Sequence, residues 1–321
     1  MTSGSPAGSG RTVLTLHENF RAVFYAPFYA AFALDAFAAE GLEVRFEASD
    51  APGPTARGRE NGNGSDAPAI WWGGPMRILV ARDADPNSDL VSFCEVVTRD
   101  PFIVVGRTPC SEFDFAALGG CRLGTASEVP TPWMCLQDDI RRAGIEPTGL
   151  NLVTGRSMAE NAQALRDGTL DAAQLFEPFV EELVASGAGH IWYAAASRGP
   201  TSYTSLYAAR ATLERDREAA IAVTRAIFRT QKRLQASSAR EIAELVGAFF
   251  PNVGPVTLER AIARYKALGI WGRDPRLPRD GFERLRAACL SGGLIECGSA
   301  FEDCVDNGAA EKAIAADGSG A

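Results

Sequence analysis

Four short stretches gather the side chains of this sequence that could hold or transform a small molecule. The first is His17-Glu18-Asn19-Phe20-Arg21. His17 beside Glu18 could serve as a base or a metal ligand, or be a satisfied structural residue, and Asn19 or Arg21 could bind a polar ligand edge. Helix capping by Asn19 and a solvated arginine are the structural alternative. The second is Trp71-Trp72-Gly73-Gly74-Pro75-Met76-Arg77. Adjacent tryptophans on a strand point to opposite faces, so at most one of them can face a ligand. Gly73 and Gly74 let the backbone approach a bound molecule closely. The free N–H groups of a helix opened by Pro75 favour an anionic or acceptor group, with Arg77 in the first turn. The third is Thr125-Ala126-Ser127-Glu128-Val129-Pro130-Thr131, where Ser127 and Thr131 offer hydroxyls as ligand donors or as caps.

The fourth stretch is Phe176-Glu177-Pro178-Phe179. Glu177 is either an acceptor for ligand N–H groups or a charge that complements a helix start. Tyr25, Phe176, Phe179 and Tyr203 could stack on a planar ring. Several aromatics with one carboxylate and few cations suit a neutral or weakly basic heteroaromatic ring, although Arg21 and Arg77 keep an oxyanion open. If the chain is an enzyme, His17, Glu18, Arg77 and Glu177 are the candidates for proton transfer and charge stabilisation.

Other chemistries lack their residues. There is no nucleophile elbow, no Walker loop, and no dinucleotide fingerprint. Gly119-Gly120-Cys121-Arg122-Leu123-Gly124 precedes and enters a strand instead of following one. The seven cysteines form no CxxC pair and only two histidines exist, so no metal site and no cofactor are expected. Cys289, Cys297 and Cys304 are close in sequence; they are three free thiols, or two of them pair in an oxidising setting.

The elements that must position these stretches alternate. Strands are expected over about 13–17, 42–48, 67–72, 90–97, 102–106, 122–125, 150–154, 170–176, 190–194 and 203–208, with helices between most of them. Ser157 with Glu160 has capping-box spacing. From 213 onward the pattern is helical, and residues 51–66 read as a loop. Alternation of this kind predicts an α/β fold with mixed sheets flanked by helices. Each chemical stretch then falls at the carboxyl end of a strand, where α/β folds bind ligands. The expected organisation is a disordered leader over 1–10, a first lobe from 11–104 plus 205–306, a second lobe from 105–204, and a disordered tail over 307–321. Two crossings between lobes, near residues 100–105 and 197–205, make a hinge suited to closing on a ligand.

The 321 residues allow two domains of ordinary size. With 46% hydrophobic and 22% charged residues the composition is that of a globular protein. A net charge of -8, with no basic stripe, argues against a nucleic-acid partner. No apolar run approaches membrane-spanning length. The first ten residues have neither a basic start nor an apolar stretch, so no secretory signal is expected in them. That leaves a cytoplasmic location by sequence, or a periplasmic or membrane-associated one if the start is truncated.

The stretches 71–77, 118–127 and 168–178, with Ala38-Ala39-Glu40-Gly41-Leu42-Glu43-Val44 and Leu206-Tyr207-Ala208-Ala209-Arg210, together resemble the solute-binding proteins of the nitrate, sulfonate, taurine and thiamine-pyrimidine type. The resemblance spans about 13–289. It implies a two-lobed type II periplasmic-binding-protein fold with an interlobe cleft, a small-molecule ligand and an ABC permease as partner. It implies a thiamine-pyrimidine-like or other small heteroaromatic ligand, bound by Asn19, Arg21, Tyr25, Trp72, Gly73, Gly74, Pro75, Arg77, Ser127, Thr131, Glu177 and Tyr203. The same superfamily contains leaderless enzymes acting in thiamine-pyrimidine synthesis or on aromatic sulfinates. The cysteine-rich motif of the first and the cysteine nucleophile of the second have no counterpart here, and Arg77 falls where the first carries a histidine.

Overall fold

Alternation decides the first strand. In β1 (Thr12–His17), Leu14 and Leu16 are 1% exposed and enter the main core, while the odd-numbered side chains point to the other face. In β4 (Leu90–Val97) and β5 (Ile103–Gly106) every residue is buried, because both faces of these strands are covered. The computed structural model describes residues 12–18, 20–48 and 69–318. The expected leader over 1–10, the loop over 51–66 and Asn19 lie outside the described residues.

Among the described residues, ten strands form two five-stranded sheets. The first contains β1, β2 (Leu42–Glu47), β3 (Ala69–Gly73), β4 and β10 (Thr204–Ala209), in the order β2-β1-β3-β10-β4. The second contains β5, β6 (Arg122–Gly124), β7 (Asn151–Val153), β8 (Ala172–Leu175) and β9 (His190–Ala194), in the order β7-β6-β8-β5-β9. β2, β1 and β3 run parallel, as do β7, β6 and β8. β10 runs antiparallel to β3 and β4, and β5 antiparallel to β8 and β9. Each sheet therefore takes its antiparallel strand from the chain arriving from the other lobe. This is the two-lobed α/β architecture expected from the alternation.

The two crossings, 98–102 and 195–203, run side by side. Ala195 N–H donates to Phe102 O at 3.0 Å, and Thr201 N–H donates to Thr98 O at 2.9 Å. Ser157 and Glu160 close their capping box at the start of helix Met158–Arg166. All seven cysteines are free, Cys289 and Cys304 buried and Cys297 exposed. No helix of the described residues is long and apolar enough to cross a membrane.

The C-terminal helices do more than cover the first sheet. Helix Pro255–Leu268 reaches helix Phe179–Ala185 of the second lobe, where Arg264 Nη2 lies 2.6 Å from Glu181 Oε2. Helix Arg279–Ser291 packs on helix Thr131–Arg142, with Ser291 Oγ donating to Asp138 Oδ1 at 3.2 Å. The tail is also ordered further than expected. Helix Gly308–Gly318 buries Ala310 and Ala313 against helix Arg217–Ala236. Its apolar stripe is made of alanines, too small to stand out from an Ala/Gly-rich composition.

Candidate functional site

The turn after β1 is built around a buried carboxylate. Glu18, 5% exposed, accepts from Tyr29 OH at 2.5 Å, from Arg21 Nε at 2.6 Å and from Arg21 Nη2 at 3.1 Å. The third edge of the guanidinium, Nη1, donates to Phe249 O at 2.8 Å, and its Cζ lies 5.8 Å from the Phe249 ring centre. Burial works against the Arg21 charge, but Glu18 and Tyr29 outweigh it and hold its pKa above the ordinary value. Arg21 thus clamps the first turn of lobe 1 to the Gly247–Phe249 turn near the C-terminal half of the chain.

A cavity of about 360 Å³ opens between this clamp and the second lobe. Phe20, Arg21, Phe249 and Phe250 line it from lobe 1; Glu128, Met158, Phe176 and Phe179 line it from lobe 2. This is the size and mixed character of a small-molecule pocket. Glu128 is held by one oxygen only. Its Oε1 accepts from Met158 N–H at 2.7 Å, and its Oε2 is buried with no partner. A buried acceptor left open in an apolar wall is costly unless something donates to it.

Behind the cavity lies a layer of rings contributed by both lobes and both crossings. Phe176 packs edge-on against Phe24 at 5.4 Å and Phe102 at 5.3 Å, and Phe24 packs edge-on against Tyr203 at 6.0 Å. Tyr25 sits under Phe20 and Phe24 at 5.4 and 4.4 Å. Tyr25 and Tyr203 are therefore parts of the packed layer, 2% and 6% exposed, and do not line the cavity as ligand-stacking rings.

Other expected residues are committed elsewhere. Trp72 is fully buried and stacks on Phe28 at 4.4 Å, so it is core and not cleft. Trp71 takes the opposite face and stacks between His17 and Tyr207, at 5.3 and 6.0 Å. Gly73 and Gly74 are required by the protein itself: an added Cβ would stand 3.1 Å from the Tyr207 ring and 3.0 Å from Tyr203 O, respectively. Pro75 precedes helix Met76–Ala84 and Arg77 is half-buried in its first turn. Ser127 is exposed and Thr131 buried, and neither side chain caps helix Thr131–Arg142. Glu177 is fully buried; Arg264 binds its Oε1 and the Glu181 N–H donates to its Oε2 at 2.8 Å. Both oxygens of Glu177 are thus engaged within the contact between the lobes.

Three of the four candidates for proton transfer are also separated by their partners. His17 Nδ1 lies 3.1 Å from Glu47 Oε2, Glu18 holds Arg21 and Tyr29, and Glu177 holds Arg264. The structure instead brings Arg21 together with Glu128, Phe20, Phe176 and Phe179. Glu128 lies within the third stretch, but capping logic draws attention to its hydroxyl neighbours. Phe249 to Val253 carry no signal linking them to the first turn, since that contact spans more than two hundred residues.

Comparisons with known proteins agree with this architecture. The chain is 25% identical over 303 residues to YtlA of Bacillus subtilis (strain 168), named as a candidate binding protein, covering 94% of this chain and 90% of YtlA. A solved structure of a Bordetella bronchiseptica RB50 protein superposes with a TM-score of 0.74 at 20% identity, over 96% of this chain and 99% of that one. The alkanesulfonate-binding protein SsuA from Xanthomonas axonopodis pv. citri, bound to MOPS, superposes with a TM-score of 0.70 at 13% identity, over 92% and 98% of the two chains. A sequence model of one family matches residues 20–247, spanning both lobes, and the chain belongs to the NMT1-like family.

Proposed function

We propose that this protein captures a small solute between its lobes for ABC-type uptake, and that the solute is a thiamine-pyrimidine-like or other small heteroaromatic compound. The observation that carries the reading is Glu128, which lines a cavity walled by Phe20, Phe176, Phe179, Phe249 and Phe250 and whose Oε2 is buried without a partner. A flat ring fits between phenylalanines, and an amino group or ring N–H satisfies the carboxylate. An oxyanion is a poorer match. Arg21 is the only cation among the described residues lining the cavity, and Glu18 already holds it. The binding roles of YtlA and SsuA, as their names give them, support the solute-binding part of the reading. Binding works by shifting the hinge toward the closed form, because only that form lets both lobes touch the solute.

Isothermal titration with the hydroxymethyl aminopyrimidine of thiamine tests the reading, with methanesulfonate as the contrasting ligand. The wild type binds the aminopyrimidine, and Glu128→Gln weakens it roughly 10- to 100-fold, the worth of one hydrogen bond to a charged group. Binding of the sulfonate in preference to the aminopyrimidine would remove the heteroaromatic reading. Equal affinity of wild type and Glu128→Gln would remove Glu128 from the site.

A further inference from the structure

A second, larger cavity of about 710 Å³ lies at the hinge and is separate in its lining from the interlobe cleft. Both crossings contribute to it, through Thr98 and Arg99 on one side and Pro200 on the other. Its floor includes Glu95 of β4, which is 2% exposed and whose Oε1 has no hydrogen-bond partner. The charged groups that act most on this carboxyl are Asp274 and Asp280, both of its own sign; the neutral Ser202 and Thr98 hydroxyls stand beside it. A buried carboxyl among acids is stable only when it holds a proton or receives a cation.

The walls carry the opposite charge. Arg276 is held by both oxygens of Asp274, and Lys266 donates to Leu234 O and Ser237 O. The side chains of Arg99 and Arg273, in contrast, form no ion pair or hydrogen bond with another described residue, and they are the guanidiniums left to grip an anion.

We propose that this cavity is a second ligand site, for a small molecule carrying a primary amine at one end and an anionic group at the other. The amine meets Glu95 and the anionic end meets Arg99 and Arg273. The site also touches the cleft's own supports. Tyr265 and Trp271 line it, and their polar ends reach Glu177 N–H at 2.9 Å and Phe24 O at 2.9 Å. A molecule bound here presses on two residues that hold the ring layer behind the cleft.

The test is thermal melting of the full chain with the protein amino acids and γ-aminobutyrate, followed by titration of any compound that raises the midpoint. At least one compound stabilises the wild type. Its Kd rises about 10-fold or more in Glu95→Gln and in Arg99→Met and is unchanged in Glu128→Gln. Arg99→Met, at a half-buried side chain without an ion pair, carries the test should Glu95→Gln fail to fold. A panel without any stabilising compound overturns the proposal, as does affinity that survives both substitutions. A compound displaced by Glu128→Gln instead belongs to the cleft and also overturns it, while leaving the cleft reading standing.

Discussion

Arg198 and Asp100 meet at 2.7 Å with their side chains 5% and 0% exposed, and in doing so they join the two crossings between the lobes. The other edge of the Arg198 guanidinium grips Asp139 on helix Thr131–Arg142, which also accepts from Tyr193 OH at 2.9 Å. Arg284 adds a bond to Arg198 O at 2.6 Å from helix Arg279–Ser291. Four parts of the chain therefore meet at one residue, Arg198. Closure over a solute must bend the chain on either side of this unit, because parting the crossings would expose buried charges to each other without their cation.

Arg198→Met removes that cation while keeping most of the side-chain volume. Asp100 and Asp139 are then buried without a cation, and the expected loss is about 3–5 kcal/mol. Urea unfolding measures it. A loss under about 1 kcal/mol would mean that water reaches both carboxylates and that the hinge is looser than the contacts imply.

Core and cleft aromatics are expected to separate cleanly. Trp72→Ala empties a fully buried site and costs about 3–5 kcal/mol whatever ligand is present. Phe179→Ala trims a half-buried ring on the cavity wall, so its stability loss is smaller while aminopyrimidine affinity falls. Paired urea and titration curves on the two variants decide it; the reverse pattern would exchange their assignments.

Much of the fold was legible because each strand is short, apolar and followed by a helix signal. Gly41 ends a helix with φ of 77°, a left-handed turn that glycine supplies, and Ser157 with Glu160 opens one. The site was legible only to the level of turns. Phe20, Arg21, Glu128, Phe176 and Phe179 do meet at one cavity, but which side chain of each turn faces it depends on partners far away in sequence. Glu177 looks like a ligand acceptor until Arg264, 87 residues later, occupies it. Glu128 looks like a solvated neighbour of Ser127 until the start of helix Met158–Arg166 takes one of its oxygens and leaves the other open. Alternation likewise allowed one of Trp71 and Trp72 into the cleft, whereas the described contacts stack both inside the first lobe.

Arg264 holds the lobes together at the ring layer, where it faces both Glu177 and Glu181. Arg264→Met leaves Glu177, 0% exposed, without a cation and Glu181, 4% exposed, with only Arg260 at 3.4 Å. Glu177, whose pKa burial already holds above the ordinary value, then loses the Arg264 charge that draws it down, so the variant's deficit is smallest in acid and grows as pH rises through the carboxylate range. Melting at about pH 5 and about pH 8 reads this. A deficit equal at both values would show that the loss is one of packing and not of charge.

Glu95 supplies the pH dependence of the wild type. Burial, with Asp274 and Asp280 adding to it, pushes its pKa from the ordinary 4.5 up to about 8. Between those values the folded chain holds a proton that the unfolded chain has released. Stability contributed by the protonated carboxyl is therefore complete below the unfolded value and is lost as pH rises, at a limiting slope of about 1.4 kcal/mol per unit, until it levels off above the folded value. Glu95→Gln keeps the shape and removes the titration. The variant should match the wild type near pH ~4 and exceed it near pH ~9, with the difference accumulating across the window between. Urea midpoints at closely spaced pH values give the comparison. Two curves that stay parallel across the window would mean that the carboxyl is already charged in the folded protein, held by a cation at neutral pH.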